Sequence, residues 1–204
     1  MKPKVKICGV TNLADAEVAS KAGADYLGFI INYPQSPRNI ASEKASEIVA
    51  AIKENNQEIK FVGVLVDQPK DEAKKISQEC QLDILQLHGQ EAPEYCRELR
   101  GDSEIWKAVI CANESCIEEI AKYQGMVDKI LLDSGRGSGQ SINLELLKQL
   151  DDIDILAGGI GLDNIEEVLE KLNPQVIDIN SQIEKEPGKK DIDKMVKIIR
   201  LIKS

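Results

Sequence analysis

Short aliphatic runs alternate with amphipathic stretches from one end of the chain to the other. The runs occupy residues 5–8, 26–31, 61–66, 84–87, 105–110, 130–132, 153–157 and 176–179. They are rich in β-branched residues, the pattern of parallel strands buried on both faces. Between them, residues 41–52, 71–80, 91–99, 114–123, 163–172 and 191–202 read as helices with apolar residues at helical spacing. Ile165, Val168, Leu169 and Leu172 form one such stripe behind the N-cap candidates Asp163 and Asn164. Ile192, Met195, Val196, Ile199 and Ile202 form another.

Strand–helix alternation of this kind means a parallel sheet with helical crossovers. Eight repeats without a break favour a closed (β/α)8 barrel, the TIM-barrel architecture, over an open doubly wound sheet. The chain is at the short end of the range for such barrels, so its loops have little room for insertions. No linker, low-complexity tract or shift of composition interrupts the rhythm, and residues 1–204 read as a single α/β domain.

Composition narrows the partners. Aromatic residues make up only 3% of the 204, so the core must be built from Ile, Leu, Val and Ala. A net charge of −9 argues against nucleic acid and anionic membranes, which repel such a surface. It leaves room for a small anionic ligand held by local dipoles and one or two cations. The five cysteines, Cys8, Cys80, Cys96, Cys111 and Cys116, are odd in number and contain no CxxC pair. Beside a single histidine they exclude a zinc ribbon, argue against a disulfide framework, and point to a reducing, cytoplasmic compartment. The N-terminus lacks the apolar core of a signal peptide, and no stretch approaches the ~20 apolar residues of a membrane span.

In barrels of this kind, reactive groups sit where strands end and βα loops begin. Two strand-end residues suit proton chemistry. Cys8 closes the first strand, with Lys6 two residues earlier and on the same face by alternation. A nearby ammonium would lower the thiol pKa and make Cys8 a general base. The alternative is a buried structural thiol beside a lysine that points outward. Asp133 closes the otherwise aliphatic Ile130-Leu131-Leu132. Burial would raise its pKa toward a general-acid role, whereas backbone amides would lower it. Its alternative reading is an N-cap or loop hydrogen-bonder. The other four cysteines are expected to be packing residues.

Two glycine runs follow consecutive late strands, where barrel phosphate sites lie: Gly135-Arg-Gly137-Ser-Gly139 and Gly158-Gly159-Ile160-Gly161. Backbone N–H groups free of side-chain bulk would surround a phosphate there. Neither run is a dinucleotide fingerprint, and no P-loop is present. Arg38, stiffened by Pro37, is either a carboxylate clamp or a surface arginine. His88 is either a catalytic base or a hydrogen-bonded structural histidine. Asp178 is a candidate ligand for sugar hydroxyls, Asp67 a structural residue, and Trp106 a core residue.

Taken in order, these segments resemble the phosphoribosylanthranilate isomerase family. The residues that carry the likeness are Val5-Lys-Ile-Cys8-Gly-Val-Thr11, Gly28-Phe29 with Ser36-Pro-Arg38, Val62-Gly-Val64, Gln86-Leu-His88-Gly89, Leu131-Leu-Asp133, Ala157-Gly-Gly159 and Pro187-Gly-Lys-Lys-Asp191. They run from the first strand to the last helix. The resemblance implies an Amadori rearrangement of N-(5-phosphoribosyl)anthranilate, without metal or organic cofactor. Asp133 would protonate the furanose oxygen, and Cys8 would take the proton from ribose C2. Arg38 would hold the anthranilate carboxylate, with His88 and Asp178 also facing the substrate. Gly137, Gly139, Gly158, Gly159, Asn180 and Ser181 would face the phosphate. The only partner implied is this small sugar phosphate, on a monomer or a homodimer.

Two departures stand out. Where the family has Asp-Val-Ser-Ser-Gly-Val-Glu, this chain reads Asp178-Ile-Asn180-Ser181-Gln182-Ile183-Glu184. A glutamine in place of glycine puts a side chain into the loop and makes any positive φ there costly. The run from Gly135 to Asn143 is also shorter than the family's loop and lacks its phenylalanine, so altered phosphate contacts are expected. Two other functions compete with the isomerase. A different sugar-phosphate isomerase or aldolase-like barrel would ignore the loss of Arg38. A non-catalytic phosphate binder would hold product analogues without turnover.

Overall fold

The computed structural model describes residues 2–101, 103–135, 144–150 and 152–204. Within them eight parallel strands form the barrel: β1 (Lys4–Ile7), β2 (Tyr26–Ile31), β3 (Lys60–Leu65), β4 (Ile84–Leu87), β5 (Glu104–Ile110), β6 (Lys129–Asp133), β7 (Ile155–Ala157) and β8 (Val176–Ile179). Each pairs with the next in sequence, and β1 pairs with both β8 and β2, so the sheet closes as the alternation requires. The crossover helices are α1 (Leu13–Ala22), α2 (Ser42–Lys53), α3 (Lys70–Glu79), α4 (Pro93–Leu99), α5 (Ser115–Tyr123), α6 (Leu144–Leu147) and α7 (Ile165–Lys171), with α8 (Ile192–Lys203) at the end. None of the described helices is long and apolar enough to cross a membrane.

Strand alternation divides the apolar residues into two clusters. Val5, Ile7, Leu27, Phe29 and Ile177 point outward, under the helices. Tyr26, Val62, Ile84, Trp106, Leu131, Ile155 and Val176 fill the barrel interior, where Trp106 is fully buried against the edge of Tyr26. This inner cluster occupies the N-terminal half of the barrel. One step of alternation further along, β1, β4, β6 and β8 turn Lys6, Gln86, Asp133 and Asp178 inward, all buried. The polar upper layer therefore rests on a dry, apolar floor.

Aspartates brace the floor from below. Asp25, Asp83, Asp128 and Asp154 each stand immediately before a strand and accept the N–H of Val5, Phe61, Ile105 and Ile130, respectively, on the preceding strand. For the first three, the aspartate's own N–H returns a bond to the same residue's carbonyl. Each brace satisfies a strand-end donor that no helix covers.

Two local features differ from the sequence reading. The run 5–8 is followed by a helix, α1, that no large apolar stripe announces, because its buried side chains are Asp15, Ala16 and Ala19. Its ends are nonetheless marked, by Asn12 accepting from the Asp15 N–H and by Gly23 at φ 99°. Cys111 and Cys116 are not separate packing residues but a disulfide joining the end of β5 to the first turn of α5. An odd total of cysteines conceals a local pair, and the argument for a reducing compartment loses this support. Cys80 and Cys96 are free and buried, as expected of packing residues.

The braces make a stability prediction. Asp83→Ala strands the Phe61 N–H and should lower unfolding free energy by about 1–3 kcal/mol. Urea denaturation measures it, and a midpoint unchanged from wild type would show that the brace contributes nothing.

Candidate active site

A cavity of about 380 Å³ opens at the C-terminal ends of the strands. Cys8, Arg38, His88, Asp133, Gly158, Gly159, Asp178, Asn180 and Ser181 all line it. These are the described members of the set picked out from sequence; Gly137 and Gly139 lie outside the described residues.

Lys6 and Asp178 are in register on adjacent strands, and both face inward. The Lys6 ammonium, without solvent exposure, donates to Asp178 Oδ2 at 2.8 Å. Lys6 therefore points into the barrel, not outward. The Cys8 thiol, just past the end of β1 and on the same inward face, is close enough to feel its charge. Burial alone would depress the ammonium's pKa, but Asp178 and Cys8 together hold it above its usual value. The same cluster acts on the thiol in the opposite sense to the sequence expectation. Burial pushes Cys8 up, the Asp178 carboxylate adds to the shift, and Lys6 only partly opposes it. The ammonium is shared, so its effect on the thiol is diluted. Gly28, on β2, leaves room for both groups: a Cβ there would come within 3.0 Å of Cys8 Sγ and of Lys6 Nζ. The other oxygen of Asp178, Oδ1, is buried without a hydrogen-bond partner among the described residues.

Asp133 faces the same cavity from β6. Its Oδ1 accepts the Gly135 N–H at 3.0 Å, and His88 Nε2 lies 3.4 Å from Oδ2. Burial pushes the carboxyl up, but the contacts from His88 and Gly135 and the charge of Lys6 outweigh it and hold Asp133 below the usual range. Of the two opposing effects expected from sequence, hydrogen bonding wins. Gly158 has φ 90°, and a Cβ there would lie 2.6 Å from Asp133 Oδ1. Only glycine lets this loop pass beside the carboxylate.

Arg38 reaches the cavity rim but is tied down. Its Nε and Nη2 grip Glu184 in bidentate fashion, with the Nη2–Oε2 bond at 2.6 Å. The buried Lys190 Nζ donates to the same carboxylate at 3.0 Å and to Asn180 Oδ1 at 2.9 Å. Burial raises the Glu184 carboxyl, but the two cations more than reverse this, so it stays ionised. Glu184 occupies one edge of the guanidinium and fixes its plane, leaving Nη1 uncommitted to that bond.

Comparison with known proteins places this geometry. Residues 5–201 match the family described as N-(5'phosphoribosyl)anthranilate (PRA) isomerase. The N-(5'-phosphoribosyl)anthranilate isomerase of Trichlorobacter lovleyi is 36% identical, with 97% of this chain and 96% of that protein covered. The chain belongs to the phosphoribosylanthranilate isomerase family. The crystal structure of the Thermotoga maritima phosphoribosyl anthranilate isomerase superposes with a TM-score of 0.91 at 33% identity, covering 98% of both chains. A second isomerase structure, in complex with reduced 1-(o-carboxyphenylamino)-1-deoxyribulose 5-phosphate, does so with a TM-score of 0.87 at 32% identity, again over 98% of both.

Against the family pattern, Gln182 is accommodated without strain. It lies in the turn Ser181–Ile183, and the non-glycine residues at positive φ among those described are Asn32, Asp67 and Gln81. Its stem packs against Gly161, where an added Cβ would meet Gln182 Cβ at 2.8 Å, and it lines the cavity. Four residues that line or support the cavity escaped sequence reasoning. Gln86 is two residues before His88 on one strand face, a placement that alternation alone discloses. Glu184 and Lys190 sit in the quoted motifs but come together only through the hairpin after β8. Lys107, on β5, supports the His88 loop through bonds to Leu87 O (3.4 Å) and Gly89 O (2.8 Å), and forms a buried ion pair with Glu91 at 2.9 Å.

The shared ammonium yields a test. Lys6→Met should shift the Cys8 titration further upward and cost about 3–5 kcal/mol by leaving Asp178 uncompensated. Thiolate absorbance, taken as the difference from Cys8→Ala to remove Cys80 and Cys96, reports the first effect, and denaturant unfolding the second. A Cys8 titration that moves downward would refute the arrangement.

Proposed function

We propose that the cavity carries out the Amadori rearrangement of N-(5'-phosphoribosyl)anthranilate to 1-(2-carboxyphenylamino)-1-deoxyribulose 5-phosphate, the isomerisation of the tryptophan pathway. The observation that carries the reading is that Cys8 from β1, Asp133 from β6 and Arg38 line one cavity in a chain of this family. Asp133 gives a proton to the furanose oxygen. The ring C–O bond breaks as the anilino nitrogen's lone pair forms the imine, which acidifies C2–H. The Cys8 thiolate removes that proton, and the enolamine tautomerises to the ketone. The thiolate is the minor form at neutral pH, and the adjacent Lys6 ammonium is what stabilises it when it forms.

Binding uses the remaining groups. The Arg38 guanidinium, held by Glu184, meets the anthranilate carboxylate, and the buried free Oδ1 of Asp178 accepts from a ribose hydroxyl. Gly158, Gly159, Asn180 and Ser181 face the phosphate, joined by the carboxamide of Gln182 where the family has glycine. His88 faces the reacting end of the sugar. Residues 1–204 act as one domain in this reading. A phosphate ester does not cross a bilayer unaided, which supports a cytoplasmic location.

Loss of anthranilate fluorescence on adding the aminoribosyl phosphate follows the reaction. Cys8→Ala and Asp133→Asn should each lower kcat by about 10²–10⁴-fold. Undiminished turnover in both would show that the acid and base are misassigned. Glu184→Gln loosens the guanidinium and should raise KM several-fold with a smaller effect on kcat; the reverse pattern would place Glu184 in the chemical step instead.

A further inference from the structure

Asp133 is a poor store for the proton it must deliver, and the contacts around it show where that proton resides. Each of the other carboxylates near its end of the barrel has its own support. Asp178 is paired with Lys6, Glu91 with Lys107, and Asp67 is exposed and accepts the Gln90 N–H. Glu184 is held by Arg38 and Lys190, and the Cys8 thiol faces the cavity beside Lys6. Among the described residues Asp133 has no lysine or arginine in contact with it, and the basic side chain it touches is His88.

His88 is held on both sides. Lys107 binds the carbonyls that flank it, which fixes the backbone. Gln86, buried on the same strand face, places its carboxamide 3.1 Å from Nδ1. As oriented, Gln86 Nε2 donates to Nδ1, so the ring carries its hydrogen on Nε2, toward Asp133. Gln86 Oε1 is buried without a partner among the described residues. Half a turn of the amide exchanges donor for acceptor, and Oε1 then receives a hydrogen from Nδ1. The same side chain thus partners the neutral imidazole and the imidazolium.

We propose that the proton used to open the sugar ring is stored on His88 and passed through Asp133, with Gln86 as a positioning residue that serves both protonation states of the imidazole. This rests on the isomerase reading. In the acid step Nε2 gives its proton to Asp133 Oδ2 as Asp133 protonates the ring oxygen. The imidazolium becomes the imidazole that carries its hydrogen on Nδ1, toward Gln86 Oε1, the carboxylate ends as it began, and the ring oxygen becomes a hydroxyl. The proton that Cys8 takes from C2 balances the one delivered.

His88 is the only histidine in the chain, so a protein labelled with ¹⁵N-histidine shows a single imidazole whose two nitrogens report tautomer and charge. On acidification both nitrogens should become protonated together. In Asp133→Asn the midpoint should fall, because the partner carboxylate is gone. In kinetics, Gln86→Leu should move the alkaline limb of the kcat profile to lower pH and reduce kcat about 10-fold. Gln86→Glu, which offers only an acceptor, should restore the charged ring and move the limb to higher pH. A purely structural Gln86 would lower kcat or Tm in both variants with the limb unmoved, and that result overturns the proposal. So does an imidazole whose midpoint is the same in Asp133→Asn as in wild type. Failure of the wild type to turn over the substrate would overturn the isomerase reading instead; the titration needs no substrate and still decides whether ring and carboxyl share a proton.

Discussion

A lysine ammonium with no access to water sits in the middle of the barrel, and the upper layer is arranged around keeping it charged. Transfer of such a group from water is unfavourable by several kcal/mol unless it is paired and hydrogen-bonded. Lys6 obtains its partner by register: on the adjacent strand the residue beside it is Asp178, and alternation turns both inward. Once that pair is in place, Cys8 one step further along β1 must lie against the ammonium, and Gly28 across from it must lack a side chain. One ion pair therefore sets the position of Cys8, the need for glycine at position 28, and the direction of the second, buried Asp178 oxygen.

The layer beneath makes this possible. Tyr26, Trp106, Leu131 and Ile155 exclude water from below, so the ion pair is poorly screened on that side and Coulombic interactions within the cluster are strengthened. The four aspartate braces at the opposite end close the strands without adding charge near the cavity. Stability and chemistry are thus separated along the barrel axis: the N-terminal end is tied by carboxylate-to-backbone bonds, the middle is apolar, and the C-terminal end carries titratable groups held by ion pairs.

Much of this is legible in the sequence. Strand ends follow from aliphatic runs, inward faces from alternation, and the barrel from eight repeats, so Cys8, Asp133, Asp178 and His88 could be placed at one mouth. The family motifs added Arg38 and the glycine loops. What stayed hidden depends on chain segments meeting in space. Glu184 on Arg38 joins residues 146 apart in sequence, and Lys107 beneath the His88 loop is an outward residue of β5 that only a neighbouring strand's loop can explain. The Cys8 titration was misjudged for the same reason: Lys6 was visible beside the thiol, but its commitment to Asp178 was not. Helix α1 is a different case, since small buried residues erase the stripe while Asn12 and Gly23 still mark its ends.

The perturbed groups pose a problem that the structure also resolves. Cys8 is held up and Asp133 held down, so the resting cavity contains a thiol and a carboxylate, whereas the reaction needs a thiolate and an available proton. The two states hold the same number of protons and differ in where one of them sits. Removing one from the thiol and placing one on the imidazole–carboxylate pair converts one into the other. Lys6 stabilises the charge left on sulfur, Asp133 stabilises the charge arriving on His88, and the Gln86 amide turns to meet the new N–H. Two groups that are each mis-tuned in isolation for the proposed acid and base roles are, as a coupled set, one proton away from readiness.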